Sequence, residues 1–436
     1  MKIKIIGGGL AGCECAYQLA KRNYDVVLYE MRPKTPTPIH KTDMLAELVC
    51  SNSLKSTDVN TSQGLLKKEL EILDCMILRV ADKVKVPAGG ALAVDREKFS
   101  IEIEKEIASF SNIKVVREEC HKVFDEDYDY IVVASGPLTS ESLSKDIISI
   151  TGCDKLHFYD AVAPIITAES IDKNNSFFAG RYNKGGDDYL NCPMDKEQYV
   201  EFTNELVKAE TVILKDFEKK EIFSACMPIE VMAKRGEDSM RYGPLRPVGI
   251  YDPITGKRPY AVVQLRKEDN YDNLYNIVGF QTNLKFSEQK RVFGLIPALK
   301  NAEFVRYGVM HRNTFIDAPK VLNADFSLRT NENIYFAGQI SGVEGYLEST
   351  MSGLMCAINI DRAIRNKNKI IPSEETAIGS LMKYISTENK DFQPMHVSYS
   401  LMPILEEKIK DKKERKAKYS ERAISAMRKY ITTIKE

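Results

Sequence analysis

Two sets of residues in this 436-residue chain have types and spacings suited to chemistry. The first is a glycine turn. Lys2-Ile3-Lys4-Ile5-Ile6 runs into Gly7-Gly8-Gly9-Leu10-Ala11-Gly12, and the apolar run Val26-Val27-Leu28-Tyr29 then ends in Glu30, eighteen residues past Gly12. Strand, glycine turn, helix, strand and acid, in that order, make a dinucleotide fingerprint. Gly7 permits the tight turn, Gly9 admits a pyrophosphate to backbone N–H groups at a helix N-terminus, and Gly12 lets the helix pack closely on the sheet. Glu30 stands where a carboxylate accepts hydrogen bonds from a ribose hydroxyl, and an acid there favours FAD or NAD over a 2′-phosphorylated dinucleotide. A glycine turn also occurs as a plain loop, but this one lies between an apolar strand and an Ala-rich helix.

The second set is a pair of cysteines set apart by their surroundings. Cys50 lies in Asp43-Met44-Leu45-Ala46-Glu47-Leu48-Val49-Cys50-Ser51-Asn52-Ser53, after the proline-rich loop Pro33 to Pro38. Cys226 lies in Ser224-Ala225-Cys226-Met227-Pro228-Ile229-Glu230, before Lys234-Arg235. A cysteine in apolar sequence is most often an inert small hydrophobe, and spacing alone does not raise either above that reading. The histidines, His40, His121, His157, His311 and His396, are widely separated and show no metal-ligand spacing, so no metal site is expected.

The elements that must position these residues recur late in the chain. Asn333-Ile334-Tyr335-Phe336-Ala337-Gly338-Gln339 reads as a strand ending in glycine, and Gly342-Val343-Glu344-Gly345 leads into a helical stretch from Tyr346 to Ile364. A middle strand and turn, Tyr130 to Pro137, precedes a long insertion. Each alone is equally a buried parallel strand with a terminal glycine. Together they favour FAD over NAD. The fold expected is α/β: a glutathione-reductase-type FAD-binding Rossmann domain, discontinuous over residues 1–150 and 325–436, with an inserted α+β domain over 155–320 and a helical C-terminus. Within the insertion, Lys196 to Leu214 reads as helix, and Tyr260 to Leu265 and Leu274 to Phe280 read as strands. The run Glu406 to Lys429 mixes both signs on a helix, which suits a solvated face and leaves phosphate contacts open.

Lys+Arg and Asp+Glu both number 62, so an RNA partner must be held by a local patch and not by global charge. Nine cysteines without CxxC pairs, and no signal peptide, point to reduced thiols in the cytoplasm. No apolar run approaches the roughly 20 residues that cross a bilayer.

Longer strings carry a specific resemblance. Beyond Gly7 to Gly12 they are Tyr29 to Pro33, Ala46 to Ser53, Val86 to Arg96, Gly136 to Glu141, Leu190 to Met194, Cys226 to Gly236, Thr255 to Tyr260, Tyr307 to Thr314, Phe336 to Tyr346 and Glu375 to Gly379. In these the chain resembles, nearly end to end, the folate- and FAD-dependent RNA uracil-5-methyltransferases of the TrmFO family. The resemblance implies that Cys226 adds to C6 of the uracil and activates C5, and that Cys50 takes the C5 proton, although a second thiol there could instead protect or position the nucleophile. It implies methylenetetrahydrofolate as carbon donor, FAD as electron carrier and NAD(P)H as reductant. FAD would be bound by Gly7, Gly8, Gly9, Leu10, Ala11, Gly12, Glu30, Arg32, Gly338 and Gln339. Lys234, Arg235, Lys257, Arg258, His311, Arg312 and Tyr346 are candidates for folate or RNA contacts, against the plain reading of surface charge or, for Tyr346, core packing. The expected substrate is the T-loop uridine of tRNA, with a 23S rRNA uridine as the alternative; no obligate protein partner is implied. A small-molecule flavin oxidoreductase, or an RNA-binding partner like the related large flavoprotein of wobble-uridine modification, leaves the two cysteine strings unexplained.

Overall fold

The computed structural model describes residues 1–37, 39–152, 156–161, 163–183, 188–212, 227–253, 255–268, 273–389 and 392–435. Its first sheet grows from the glycine-turn unit. Strand β1 (Lys2–Ile6) is apolar and buried beyond its first residue, pairs in parallel with β2 (Asp25–Tyr29), and the two are joined by α1 (Leu10–Ala20). In the small antiparallel sheet that follows, β5 (Ala91–Val94) is flanked by β3 (Ser53–Ser56) and β4 (Lys85–Val86). Helices α2 (Ser62–Ile72), α3 (Met76–Lys83) and α4 (Arg96–Ala108) pack around it, and β6 (Ile113–Val116) and β7 (Tyr130–Val133) return to the main sheet, followed by α5 (Glu141–Thr151). On the other side β7 pairs with β1, so β1 lies between strands reached in opposite directions. That topological switch point is where open α/β sheets leave a crevice at the carboxyl ends of their strands.

The chain leaves this body through β8 (Leu156–Ala161) and comes back through β15 (Met310–Phe315), an antiparallel pair in which Phe315 faces Leu156. Between them a six-stranded sheet runs in the order β10 (Phe177–Phe178), β11 (Tyr189–Met194), β12 (Ala261–Lys267), β13 (Leu274–Ile277), β9 (Ile165–Thr167) and β14 (Phe304–Arg306), antiparallel throughout. Helices α6 (Lys196–Lys208), α7 (Ile229–Ala233) and α8 (Phe286–Phe293) belong to the same segment. Two large apolar cores result. One draws on residues from Ile3 to Ile147 and again from Phe315 to Tyr430; the other draws on Ile166 to Ala302.

After α9 (Ala318–Val321), β16 (Ser327–Leu328) and β17 (Asn331–Phe336) complete the first sheet in the order β16-β17-β7-β1-β2-β6. Helix α10 (Tyr346–Ile364) then lies along α1, which is buried on every face. The two backbones approach so closely that a Cβ on Gly353 would meet the backbone of Ala11. Helices α11 (Ala377–Ser386) and α12 (Lys412–Lys435) finish the chain.

Several expected boundaries move; the strand read from Tyr260 to Leu265 runs Ala261–Lys267, and the late strand runs Asn331–Phe336. The helix beginning at Lys196 ends at Lys208, because Ala209 turns extended and Thr211 bridges to Leu284; residues 213 and 214 lie outside the described ones. The strand from Leu274 stops at Ile277, since Gly279 adopts φ +80° and turns the chain. The C-terminal helix begins at Lys412, not Glu406, where the Asp411 side chain accepts from Glu414 N at 2.7 Å and its carbonyl from Arg415 N at 3.0 Å.

Candidate functional site

At the switch point a cleft opens between the ends of β1, β2, β7 and β17. Its floor is Ile6 to Ala11, one wall is Glu30, Met31, Arg32, His40 and Glu47, another is Ala134 to Ser140, and Gly338, Gln339, Tyr346 and Ser349 close the far side. The turn geometry follows from its glycines. Gly7 sits at φ +115°, and a side chain there would drive into the backbone of Ala134 and Ser135. A Cβ on Gly12 would collide with the Gly7 carbonyl oxygen, so Gly12 does not line the cleft but lets α1 start against the turn. Gly9 differs: a Cβ there meets nothing within 4 Å, so the space it would fill is cleft.

Gly9 caps α1 without any side-chain hydrogen bond, and the first turn of that helix carries no acid. The amides at this N-terminus therefore face the cleft with their partial positive charge unneutralised, which suits a diphosphate. The N-terminus of α10 is likewise capped by a glycine, Gly345, with no side-chain bond. On the opposite wall Glu30 is buried; its Oε1 accepts from Arg32 N at 3.0 Å and Arg32 Nε at 2.9 Å, and its Oε2 from Gly8 N at 3.2 Å. Burial pushes its pKa up, but the bonds and charge of Arg32 outweigh this and hold the carboxyl below its ordinary range. Oε2 keeps room to accept from a hydroxyl. Arg32 is itself fixed by Glu47 at 3.1 Å and Thr42 O at 3.1 Å, so it orients Glu30. His40, beside them, is pushed down to about 4 by burial and by the Arg32 charge, and stays neutral at physiological pH. These donors and acceptors fit an adenine dinucleotide with a free ribose 2′-hydroxyl.

Cys50 lies at the rim, and its loop is gripped from four directions. The Tyr346 hydroxyl, at the start of α10, accepts from Cys50 N at 2.8 Å and Ser51 N at 3.0 Å. Arg96, at the start of α4, donates to Leu48 O and is paired with Glu268 at 2.8 Å. Arg306, at the end of β14, donates to Val49 O. Arg266, from β12, donates to Asn52 Oδ1 and Ser51 Oγ, both at 2.9 Å, while Asn52 Nδ2 donates to Val94 O and Lys267 O, both at 3.0 Å. The charges of Arg96 and Arg306 both act on the Cys50 sulfur. Burial, and then the neighbouring sulfur, push the Tyr346 phenol up, so it remains a neutral hydroxyl. The inserted sheet thus holds the Cys50 loop directly, through Arg266 and Arg306.

The expected cofactor residues Gly7, Gly8, Gly9, Leu10, Ala11, Glu30, Arg32, Gly338 and Gln339 come together around one cleft, and Tyr346 joins it to the Cys50 loop. Lys234 and Arg235, beyond α7, and Lys257 and Arg258, in the loop before β12, are exposed and lie away from the cleft lining. His311 and Arg312 sit on β15, in backbone register with Asp160 and Tyr159 of β8. Cys226 lies outside the described residues. Sequence reasoning missed the grip of Arg96, Arg266, Arg306 and Asn52. Arg96 and Asn52 fall within the quoted strings, and Arg306 immediately precedes one. Among the described residues no group of three or more His, Cys, Asp or Glu could hold a metal ion, and no helix is long and apolar enough to cross a membrane.

A family model described as "Glucose inhibited division protein A" matches residues 2–368. The "Methylenetetrahydrofolate--tRNA-(uracil-5-)-methyltransferase TrmFO" of Desulfitobacterium hafniense is 54% identical over 429 residues, covering 98% of each chain. The protein of the same description from Acetivibrio thermocellus is 52% identical over 431 residues, 99% of this chain and 98% of the relative. In fold, GidA of Aquifex aeolicus superposes with a TM-score of 0.70 at 14% identity over 98% of this chain and 73% of its own.

Proposed function

The chain belongs to the TrmFO family of methylenetetrahydrofolate–tRNA-(uracil-5-)-methyltransferases, and from that premise we propose that it methylates C5 of a uridine in tRNA, with methylenetetrahydrofolate as carbon donor and FAD in the cleft. The observation that carries the reading is Tyr346. Its ring borders the dinucleotide cleft while its hydroxyl holds the Cys50 backbone, so one residue joins the cofactor space to a cysteine set between two arginines.

The uncapped N-terminus of α1 would hold the diphosphate of FAD and Glu30 its ribose, while Gly338, Gln339 and the N-terminus of α10 border the other end. FAD there supplies the electrons that complete a methyl group from a transferred methylene, with NAD(P)H as their source. The chain's own residues prepare the base. The Cys226 thiolate forms a bond to C6, the C5=C6 π electrons move into an enolate, and C5 becomes nucleophilic. After the new carbon–carbon bond forms at C5, the Cys50 sulfur removes the C5 proton. The electron pair of the broken C–H bond expels the carrier from the transferred carbon and leaves an exocyclic methylene; a hydride equivalent delivered to that carbon completes the methyl group, and as the resulting enolate collapses the C5=C6 double bond returns and Cys226 leaves, the proton transfer being worth of order 10² to 10⁴-fold. Arg96 and Arg306 hold the backbone on which Cys50 is carried, through Leu48 O and Val49 O. The target base must leave its stack to reach the thiols. A cytoplasmic site of action is supported by the free thiols among the described residues, at Cys13, Cys15, Cys50, Cys75, Cys120, Cys192 and Cys356.

Incubation with T-arm RNA carrying 5-fluorouracil at the target position tests this. The fluorine blocks departure from C5, so the wild-type protein is expected to form a covalent complex, and Cys226→Ala is expected to form none while retaining bound flavin. A Cys226→Ala protein that still forms the adduct removes Cys226 from the role of nucleophile. Nucleoside mass spectrometry on separated tRNA and ribosomal RNA from cells with and without the gene identifies the substrate: 5-methyluridine lost only from 23S RNA replaces tRNA and leaves the chemistry in place.

A further inference from the structure

The aromatic residues of the inserted segment are arranged in two different ways. In the interior they meet edge to face or tilted: Phe280 and Phe293 at 78°, Tyr199 and Tyr260 at 60°, Phe202 and Phe280 at 34°. Toward the surface they stack in parallel. Phe304 and Tyr307 lie 5.0 Å apart at 6°, and Tyr307 and Phe286 lie 4.6 Å apart at 17°. Phe286 ends this ladder with 54% of its surface exposed, although one face is covered by Tyr307, so its outer face and edge are open. Val305, next to Phe304 in the chain, is 57% exposed.

The ladder is held rigid. Gln289 in α8 donates to Gly308 O and accepts from Gly308 N, both at 2.8 Å, which locks the helix carrying Phe286 to the turn after Tyr307. Its place in the chain matters most. Arg306, between Val305 and Tyr307, is the residue that holds Val49 O in the Cys50 loop. One helical turn beyond Phe286, Lys290 is exposed at the i+4 position, on the same side of α8. A parallel ring with an open face and a cation alongside is the arrangement that takes an unpaired nucleobase and its phosphate.

We propose that Phe286, backed by Tyr307 and Phe304, is a stacking platform for an unpaired nucleotide of the RNA substrate, flanking the uridine presented at Cys50. The proposal rests on the reading of the protein as an RNA methyltransferase. Extruding the target uridine unstacks its neighbours, and a platform backed by Tyr307, the residue next to Arg306, receives one of them as the loop opens. Stacking is tolerant of base identity, so the platform contributes affinity and register more than sequence choice.

The test compares Phe286→Leu with Phe286→Trp in the flavin-loaded protein, using T-arm RNA with 2-aminopurine at each position flanking the target. Leu keeps an apolar side chain of similar size without a π face; Trp enlarges it. Phe286→Leu is expected to raise the KM for RNA about five- to a hundredfold, with the KM for methylenetetrahydrofolate and the flavin spectrum unchanged. It should also abolish 2-aminopurine quenching at one flanking position, and Phe286→Trp should preserve that quenching. Unaltered RNA affinity and quenching in Phe286→Leu overturn the platform, as does a change confined to the folate KM, which would assign the ring to the pterin. Wild-type protein that makes no 5-methyluridine refutes the functional reading itself, a result distinct from either.

Discussion

Replacing Gly9 and Gly12 separately should divide cofactor binding from folding, because the structure gives the two glycines opposite surroundings. A Cβ on Gly12 would collide with Gly7 O and lie 3.1 Å from Gly7 C and 3.4 Å from Ile5 Cγ2. These are backbone and packed core atoms of β1 and its turn, so Gly12→Ala must push α1 off the sheet, and overpacking of that kind costs about 1–3 kcal/mol or more. At Gly9 a Cβ meets nothing within 4 Å, and φ −79° with ψ −169° is open to any residue. Gly9→Ala should therefore leave the apoprotein's melting temperature unchanged or slightly higher, since Ala restricts the unfolded chain by roughly 0.4–1 kcal/mol. Its methyl group occupies the space through which a diphosphate oxygen approaches the amides of α1. Losing one or two charge-assisted hydrogen bonds, at roughly 1.5–3 kcal/mol each, weakens FAD binding by about 10- to 10⁴-fold, and Gly9→Val should do so at the upper end. The assay is a pair of measurements on each purified variant: the flavin-to-protein absorbance ratio after saturation with FAD and dialysis, and the melting temperature of the apoprotein. Gly9→Val with stoichiometric flavin, or Gly12→Ala with an unchanged melting temperature, would refute the assignment of the turn.

Two further outcomes follow from hydrogen bonds that tie distant segments. Tyr346→Phe keeps the ring at the cleft but leaves Cys50 N and Ser51 N without their acceptor, so the loop should loosen and Cys50 alkylation by iodoacetamide should accelerate severalfold; an unchanged rate means the hydroxyl does not hold the loop. Glu69 is buried in α2 and accepts from Ala377 N at 2.8 Å and Ile378 N at 2.9 Å, at the start of α11; burial raises its pKa from 4.5 to about 8 despite those bonds. A raised carboxyl favours the folded state most below pH 4.5, and that contribution is lost as pH rises toward 8, by a few kcal/mol. Glu69→Gln cannot titrate. It should be less stable than wild type near pH 5 and close the gap by pH 8, and parallel stability-against-pH curves would remove Glu69 as the cause.

What could be read in the sequence was set by local rules, and what could not was set by contacts across the chain. The glycine turn was legible because each glycine answers a backbone demand within one βαβ unit: a positive φ at Gly7, open space at Gly9 and close packing at Gly12. The late strand and the helix from Tyr346 were legible for the same reason, their apolar runs and Gly345 marking where they begin. The start of α12 was misjudged because charge composition does not reveal that Asp411 supplies the cap. The surroundings of Cys50 were beyond such rules altogether. Arg306 reaches it across 257 positions, Arg266 reaches Ser51 across 215 and Tyr346 reaches Cys50 across 296. Taken alone, each arginine is a surface charge on a strand of alternating character, and nothing in its neighbours points to position 50. Because Arg266 and Arg306 come from the inserted sheet while Tyr346 and Arg96 come from the first body, the cysteine loop is held by both bodies at once and not by the segment that carries it.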